Sequence, residues 1–365
     1  MHRVTLTYSF AAADEARPEL HHPLLALLEG VHRSGSISAA ARDLKLSYRH
    51  VWGEVKRWEG ELGNSLLVWS KGQPARLSPF GQKLLWAERQ AQARLAPQVA
   101  TLRSELERAF AIAFDDSAGV IAMSASHDEA LPLLRQWTAR HSKLHLDIGF
   151  SGSVDALAAL NEERCLLAGF HALTDAPRDS PTARVYRPML APGRHKLIGF
   201  AVRSQGLIVA AGNPRRIMAL TDLTDPATRF VNRARGTGTR VVLDELLAAD
   251  GVAPEAINGY HRVEPSHRAV AQSVAAGSAD AAFGIEAVAR ALGLDFVALA
   301  EENYFLAVLA ANLAHPHVDS LRRALASPGW QQELRGLPGY APRHSGEVLS
   351  LTGVLPWWTY RKARR

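Results

Sequence analysis

Residues 35–62 read GSISAAARDLKLSYRHVWGEVKRWEGEL, and their pattern of caps, alanines and apolar spacing predicts how the first part of the chain folds. Ser36 and Ser38 follow a glycine turn and can cap a helix that contains three consecutive alanines. Small alanine side chains let a second helix cross closely. Residues 45–47 form a short turn between the two helices, and Ser47 can cap the second one. The pattern therefore predicts a helix-turn-helix.

The second helix, from Ser47 to Leu62, is amphipathic. Its apolar residues recur at spacings of four, three and four, which places them on one face against a core: Val51, Val55, Trp58 and Leu62. The opposite face and the first turn are basic, as a helix that reads the major groove of DNA requires. We predict DNA contacts from this helix and from the segment that follows it: Ser47, Tyr48, Arg49, His50, Lys56, Arg57, Lys71 and Arg76.

Residues 66–78 predict a hairpin, because two short strand-like runs flank a turn that contains glycine. A hairpin in this position is a wing, which lies along the duplex and contacts phosphates without reading the base sequence. Pro79 then stands near the first turn of a long amphipathic helix that continues to Phe110, with a kink possible at Pro97. Such helices often pair with a symmetry mate, so we expect a homodimer, with a tetramer as the alternative.

The composition is that of a globular protein with more than one domain. The chain has 365 residues, of which 47% are hydrophobic and 21% charged, enough for two or three cores. The first residues lack the apolar run of a signal peptide, and no apolar stretch reaches the roughly 18–20 residues that span a bilayer. The single cysteine, Cys165, excludes an intrachain disulfide. We expect a cytoplasmic protein without a membrane partner, and the net charge of +6 suits a nucleic-acid partner.

The first part of the chain resembles the DNA-binding domain shared by molybdate-responsive ModE-type repressors and LysR-type regulators. The resemblance is carried by residues 35–44, 51–52, 56–59 and 75–81, in which the alanine helix, turn, reader helix, wing and Leu-Ser-Pro-Phe-Gly exit follow the family order. It covers most of residues 20–112 and implies that the partner is double-stranded DNA.

A second region begins near residues 114–119, where strands start to alternate with helices. Residues 120–123 predict a strand that runs into a helix start at residues 124–128. Residues 144–150 predict another strand, which ends in Ser151-Gly152-Ser153 before a helix from Val154 to Asn161. A third strand, residues 229–232, leads through a glycine- and arginine-rich loop into a helix from Val241 to Ala249. Further strands are predicted at residues 278–285, 296–299 and 304–309.

These strand-to-helix junctions predict a site for a small anion. Ligands bind at the carboxyl edge of such sheets, and the free N–H groups of helix starts carry partial positive charge. Serine and threonine hydroxyls, together with the arginines of the third loop, would add donors. The predicted ligand-binding residues are Ser124, Ser126, His127, Ser151, Ser153, Arg235, Thr237, Gly238, Thr239, Arg240 and Tyr304.

The run from Gly119 to Pro338 resembles type-2 periplasmic binding domains, in the cytoplasmic form that is fused to ModE-like DNA-binding domains and to some molybdopterin-synthesis proteins. Residues 232–240, 243–247, 259–260 and 279–284 carry the resemblance. It implies a two-lobed α/β domain that holds molybdate or tungstate mainly through serine hydroxyls and backbone N–H groups. The arginines near Thr237 depart from that pattern, so a carboxylate or a molybdenum-cofactor-type ligand, such as a phosphorylated pterin, stays open.

The sequence thus predicts an α/β protein made of an N-terminal winged helix-turn-helix (residues 1–78), a linker and dimerisation helix (79–116), a two-lobed sensing domain of the type-2 periplasmic-binding-protein kind (117–345) and a basic C-terminal tail (346–365). We expect a ligand-responsive transcription regulator without cofactor or metal. An enzyme, for example of molybdenum-cofactor metabolism, is disfavoured because neither His-Glu-x-x-His nor Gly-x-Ser-x-Gly occurs. An architectural DNA-binding protein is the third alternative.

Overall fold

The computed structural model describes residues 22–69, 73–114, 119–174 and 177–358. The chain divides into two compact units, Met1–Ala96 and Pro97–Arg365. Lys71, a predicted DNA contact, lies outside the described residues. The same holds for the basic residues 361–365 of the predicted tail. Within the described ranges, no helix combines the length and the apolar character needed to cross a membrane.

The first unit contains the predicted helix-turn-helix and hairpin. Its elements are α1 Pro23–Ser34, α2 Ile37–Asp43, α3 Tyr48–Leu62 and the antiparallel strands β1 Leu67–Val68 and β2 Arg76–Leu77, followed by the helix α4 Pro79–Phe114. Both predicted caps are confirmed, because Ser36 Oγ accepts from the Ala39 N–H and Ser47 Oγ accepts from the His50 N–H. The core includes Val51 and Val55, both fully buried, with Trp58 and Leu62 packed at its edge.

Helix α4 is continuous through Pro97, so the proline does not interrupt it. The division between the units falls inside this helix, after Ala96, whereas the sequence analysis placed the sensing domain's start at residue 117. The second half of α4 belongs to the second unit because its polar side chains bond to the strand at residues 144–150. There the fully buried Ser104 Oγ accepts a hydrogen bond from the Ile148 N–H at 2.9 Å.

The second unit alternates strands and helices, as predicted. Its strands are β3 Gly119–Ala125, β4 Leu144–Phe150, β5 Leu167–Leu173, β6 His195–Val209, β7 Phe230–Arg233, β8 Val263–Glu264, β9 Ala281–Ile285, β10 Asp295–Leu309, β11 Tyr340–Ala341 and β12 Val348–Leu349. Its further helices are α5 Ala130–Ser142, α6 Ser153–Asn161, α7 Pro181–Tyr186, α8 Gly238–Ala249, α9 His267–Ala275, α10 Glu286–Ala291, α11 Pro316–Ala326, α12 Pro328–Arg335 and α13 Leu351–Val354.

Two long strands connect the two halves of this unit. The strands follow the order β4-β3-β5-β10-β6-β9-β7-β8, with β11 and β12 added to β6. β6 and β10 are antiparallel partners along their length. Residues 302–307 of β10 pair with β5, whereas residues 205–209 of β6 pair with β9. The pair therefore crosses from a first lobe, containing β3, β4 and β5, to a second lobe, containing β7, β8 and β9. The predicted two-lobed α/β architecture is confirmed.

Several local boundaries differ from the predictions. Residues 124–128 do not start a helix: β3 extends to Ala125, and α5 begins at Ala130, whose N–H donates to Asp128 Oδ1 at 2.8 Å. α8 begins at Gly238 rather than at residue 241, because Thr237 caps it. β9 begins at Ala281 rather than at residue 278. Residues 296–299 and 304–309 belong to one strand, because Glu302 between them is buried in an ion pair.

The predicted C-terminal tail from residue 346 was wrong as far as residue 358. β12 pairs with β6 through Val348 and Leu349, and the Trp357 side chain is almost fully buried in the core. Apolar residues in this stretch therefore complete the second unit instead of remaining in solvent.

Candidate DNA-binding surface and ligand site

The N-terminal turn of α3 presents the most accessible predicted DNA contacts. Ser47 caps the helix, and Tyr48, Arg49 and His50 follow it on the surface, with Tyr48 51% exposed. Among the described residues, no carboxylate lies within ion-pair distance of Arg49. Its guanidinium is therefore available to base edges, for which arginine has matching donor geometry.

Lys56 and Arg57 lie further along α3 and are held by acidic partners on the same helix. Lys56 Nζ lies 2.7 Å from a Glu59 carboxylate oxygen. Arg57 bridges Glu54 and Glu61 at 2.7 and 2.6 Å. Carboxylates so close would oppose a phosphate at the same position, so the first turn of α3 is the stronger candidate for specific contact.

The hairpin is attached to the reader helix by aromatic and backbone contacts. The rings of Trp52 and Trp69 meet edge to face with their centroids 4.9 Å apart. A Glu59 carboxylate oxygen accepts from the Leu66 N–H at 2.7 Å and from the Leu67 N–H at 3.3 Å. Arg76 is exposed on β2, where the sequence analysis expected a phosphate contact.

In the second unit, three of the predicted segments meet between the lobes. Ser124 Oγ and Ser151 Oγ are 2.8 Å apart, and Ser126 Oγ and Ser153 Oγ are 3.0 Å apart, with the second pair buried. The start of α8 lies against them, since a Cβ atom on Gly238 would stand 3.0 Å from Ser153 Oγ. The serines of the first lobe and the glycine loop of the second are thus in contact.

Of three further predicted residues, two have other partners and one is exposed. Arg240 is buried and turned toward Asp244, with Nε 2.9 Å from Oδ1, while its guanidinium carbon lies 4.0 Å from the Tyr260 ring centroid. Arg235 is exposed, and both arginines line a groove of about 390 Å³. The Thr237 hydroxyl donates to a backbone carbonyl and caps α8. Arg240 and Thr237 are thus engaged locally at the start of α8, whereas Arg235 is exposed.

The crossing strands add charged residues that the sequence analysis did not select. Arg203 on β6 is 1% exposed and forms ion pairs with Asp128 and with Glu302 on β10. The Gln205 amide donates to Glu302 at 2.8 Å. Tyr340 donates its hydroxyl to Asp128 at 2.6 Å. Residues from both lobes and from the strands between them therefore form one buried polar network.

Arg233, at the end of β7, is the least compensated charge of this network. It is 2% exposed, and no carboxylate of the described residues lies within ion-pair distance of it. Its Nη1 donates only to the Glu264 backbone carbonyl at 3.4 Å, and its Nε is buried without a hydrogen-bond partner. Burial, together with the nearby positive charge of Arg203, lowers the pKa of Arg233 to about 9.

Three histidines surround these arginines in their uncharged form. Burial and the Arg233 charge lower the pKa of His127 to about 4. Burial and both guanidinium groups hold the pKa values of His171 and His267 well below the usual range. His171 Nδ1 lies 3.9 Å from Glu302, its ring centroid lies 4.0 Å from that of Tyr304, and His267 Nε2 lies 3.3 Å from Thr239 Oγ1. The described residues hold no group of side chains arranged to bind a metal ion.

We call this group the interlobe cluster: Ser126, His127, Asp128, Ser153, His171, Arg203, Gln205, Arg233, Thr239, His267, Glu302 and Tyr304. Five of these were predicted as ligand contacts, namely Ser126, His127, Ser153, Thr239 and Tyr304. Two of the missed members could have been noticed in the sequence, because His171 interrupts an apolar strand and Arg203 directly follows the apolar run of residues 197–202. A charged or titratable residue in such a run is buried only with partners or for a function.

A unit of winged helix-turn-helix form is thus joined to a two-lobed α/β unit with a polar network between its lobes. Residues 23–82 match the family model of the bacterial regulatory helix-turn-helix protein, lysR family. Residues 134–326 match the model of the PBP superfamily domain, which spans more than half of the chain. The chain belongs to the PBP superfamily and carries a lysR-family helix-turn-helix.

Similar proteins include the uncharacterized protein YvgK of Bacillus subtilis (strain 168), 32% identical over 200 residues, which are 55% of this chain and 64% of the relative. The chain therefore spans less than two thirds of that relative's length. An uncharacterized protein from the 5' region of the ferredoxin 2Fe-2S gene of Clostridium pasteurianum is 34% identical over 111 residues, 30% of this chain and 98% of that protein.

Two solved structures align with most of the chain. Full-length BenM is 17% identical, with a TM-score of 0.44 over 87% of this chain and 98% of that one. CbnR in complex with its target DNA is 16% identical, with a TM-score of 0.39 over 82% of this chain and 98% of that one.

Proposed function

We propose that this chain is a ligand-responsive, DNA-binding transcription regulator of the LysR kind, which senses a small anion bound in the interlobe cluster and acts on DNA in the cytoplasm. The observation that carries the proposal is Arg233, a buried guanidinium without a carboxylate partner at the meeting point of the two lobes. Leaving such a charge unpaired is costly, and an anion would remove that cost.

The neighbours of Arg233 suit an anion that both lobes hold. Ser126 and Ser153 from the first lobe and Thr239 from the second supply hydroxyl donors, and the start of α8 supplies N–H groups. Because these donors come from both lobes, ligand binding would favour the closed arrangement of the two lobes over an open one. Molybdate and tungstate are the inorganic candidates, and small carboxylates are the organic ones.

A thermal-shift panel followed by calorimetry tests the proposal. The panel contains molybdate, tungstate, sulfate, phosphate, formate and small carboxylates, because a ligand that prefers the folded state raises its melting temperature. We expect Arg233→Gln to weaken binding of the active anion at least about tenfold, since a charge-assisted contact is lost. Arg235→Gln is the matched control: a ligand contact was predicted at Arg235, but this arginine is exposed two residues before the Thr237 cap of α8, so the variant should bind like the parent.

The stability of the ligand-free variant separates lost binding from lost folding. Arg233→Gln removes an unpaired buried charge, so its melting temperature without anion should be no lower than that of the parent. No binding by any anion, or equal binding by the parent and Arg233→Gln, would contradict the proposal.

The regulator would act as a homodimer, with tetramers as the alternative. Helix α4 presents apolar side chains to solvent, with Leu102 51% and Phe110 42% exposed. A pairing helix between the two units would match a two-fold symmetric operator. Light scattering on the parent and on Leu102→Glu tests this: the variant should lose mass toward a monomer, and an unchanged mass would exclude this face.

A further inference from the structure

The interlobe cluster has an excess of negative charge at one place and an excess of positive charge at another. Arg203 is bound by two carboxylates, Asp128 and Glu302, which leaves an excess of negative charge around it. Arg233 has no carboxylate at ion-pair distance among the described residues, which leaves an excess of positive charge there. His171 stands on the negative side, since its Nδ1 is 3.9 Å from Glu302 Oε1. The cluster is therefore dipolar.

The negative side also contains acceptors without donors. Glu302 Oε2 and Gln205 Oε1 are buried and have no hydrogen-bond partner in the described part of the chain. The orientation of the Gln205 amide is set by its neighbours, because its NH2 group donates to Glu302 at 2.8 Å and to Thr239 Oγ1 at 3.3 Å. Both acceptors belong to side chains that are fully buried. Buried acceptors of this kind call for a donor.

We infer that the effector is a small organic acid that carries its own hydrogen-bond donor, a hydroxyl or an ammonium group, beside its anionic group. The anionic group contacts Arg233 and the serine hydroxyls, and the donor contacts Glu302 and Gln205. This inference rests on the proposed function and narrows its ligand. Molybdate, tungstate and sulfate offer only acceptors at neutral pH, so they would leave Glu302 Oε2 and Gln205 Oε1 unpaired and place anion beside anion.

Matched pairs of acids test the requirement for a donor. Calorimetry on the full chain compares glycolate with methoxyacetate, lactate with propionate, and glycine with acetate, and includes molybdate and sulfate. Each pair differs in the donor and keeps the carboxylate. A site that binds a hydroxyl or amine by hydrogen bonds discriminates strongly against the analogue without it. In the pair that binds most tightly, we expect the dissociation constant of the donor-bearing acid to be at least about tenfold lower than that of its analogue.

Glu302→Gln and Asp128→Asn form a matched pair of variants. Both remove one carboxylate charge from Arg203, but only Glu302 has an unpartnered oxygen, since Asp128 accepts from Ala130, Arg203 and Tyr340. Glu302→Gln should abolish the preference for the donor-bearing acid, and Asp128→Asn should keep it. Gln205→Met, which removes the second acceptor without changing a charge, should reduce the preference and provides the test if Glu302→Gln does not fold.

The outcomes separate this inference from the proposed function. Three results would overturn the inference. The first is equal binding within every pair, and the second is tighter binding of molybdate or sulfate than of any donor-bearing acid. The third is an unchanged preference in Glu302→Gln and Gln205→Met. An anion that binds through Arg233 in those cases would leave the proposed function intact. If no compound of either class binds, both are overturned.

Discussion

Arg49 is the residue on which we expect operator recognition to depend. It is exposed in the first turn of α3, without the carboxylate partners that hold Lys56 and Arg57. Arg49→Ala should weaken binding to the operator by about 1–3 kcal/mol and reduce discrimination between bases. Fluorescence anisotropy with operator and with unrelated duplex measures both effects. Lys56→Ala is the control on the same helix and should lose less affinity for the operator. If Arg49→Ala lowers the affinity for operator and for unrelated duplex equally, Arg49 does not contact the bases.

Ser126 and Ser153 are the hydroxyls that we expect to matter for ligand binding. Each is buried in the cluster at the junction of the lobes. Ser126→Ala or Ser153→Ala should weaken binding of the active anion several-fold, about 1 kcal/mol for one lost hydrogen bond. Affinity of the ligand-free protein for DNA should not change. Ser327→Ala, which removes the cap of α12 elsewhere in the unit, is the control. Anion binding at the parent level in both cluster variants would show that these hydroxyls lie outside the site.

The sequence predicted the serines more easily than their surroundings. Ser151 and Ser153 stand at a strand-to-helix junction, where local pattern and capping preference point to the same place. Arg203 and Glu302 lie about a hundred positions apart in the chain and become neighbours only through the pairing of β6 with β10. No local pattern encodes that register. The arginines of the third loop were expected to add donors, but only the fold shows that Arg233 is the buried one without a carboxylate partner.

Among the elements, the hairpin depends on one carboxylate of the reader helix. Burial opposes the charge of Glu59, but Lys56 and the N–H groups of Leu66 and Leu67 outweigh it and lower its pKa. Glu59→Ala would leave the buried Leu66 N–H without its acceptor, which costs about 1–3 kcal/mol. Thermal unfolding of the full chain should show this loss as a lower melting temperature. Where the first unit unfolds in a separate transition, the shift is read from that transition. Glu61→Ala, exposed on the same helix, is the control and should change stability by less than about 0.5 kcal/mol.

The elements that were predicted well are those whose pattern is local. α2 and α3 combine caps, alanines and helical spacing, and their bounds match the expected positions. The strand at 295–309 was split in two because Glu301, Glu302 and Asn303 are polar. They continue the strand because Glu302 is neutralised by Arg203 from the neighbouring strand. Tertiary pairing thus overrides local polarity, and residues 346–358 were mistaken for a tail because their burial depends on β6, far away in the sequence.

At the scale of the whole molecule, stability should fall as the pH is lowered below neutrality. His127, His171 and His267 have pKa values below their usual 6.5 in the folded protein, with His127 at about 4. In the unfolded chain they would titrate normally. Below about pH 6.5 the unfolded state therefore binds protons that the folded state does not, and the stability present above that pH is lost, by up to about 1.4 kcal/mol per pH unit for each histidine.

Urea unfolding of the anion-free protein between pH 7.5 and 5 measures this dependence. His127→Asn should reduce the slope by the share of one histidine. His344→Gln, an exposed site, is the control and should leave the slope unchanged. A free energy of unfolding that stays constant from pH 7 to 5, or a slope that His127→Asn does not alter, would contradict burial of neutral histidines at this site.

We propose that an anion binds between the lobes beside Arg233. Amide hydrogen exchange, measured with and without the anion that raises the melting temperature most, tests this site. We expect slower exchange in residues 124–128, 151–154, 231–240 and 302–304, which supply the cluster from both lobes and from the crossing strand. Protection restricted to the groove beside Tyr260 and His261, or found only in the first unit, would contradict the assignment of the site to the interlobe cluster.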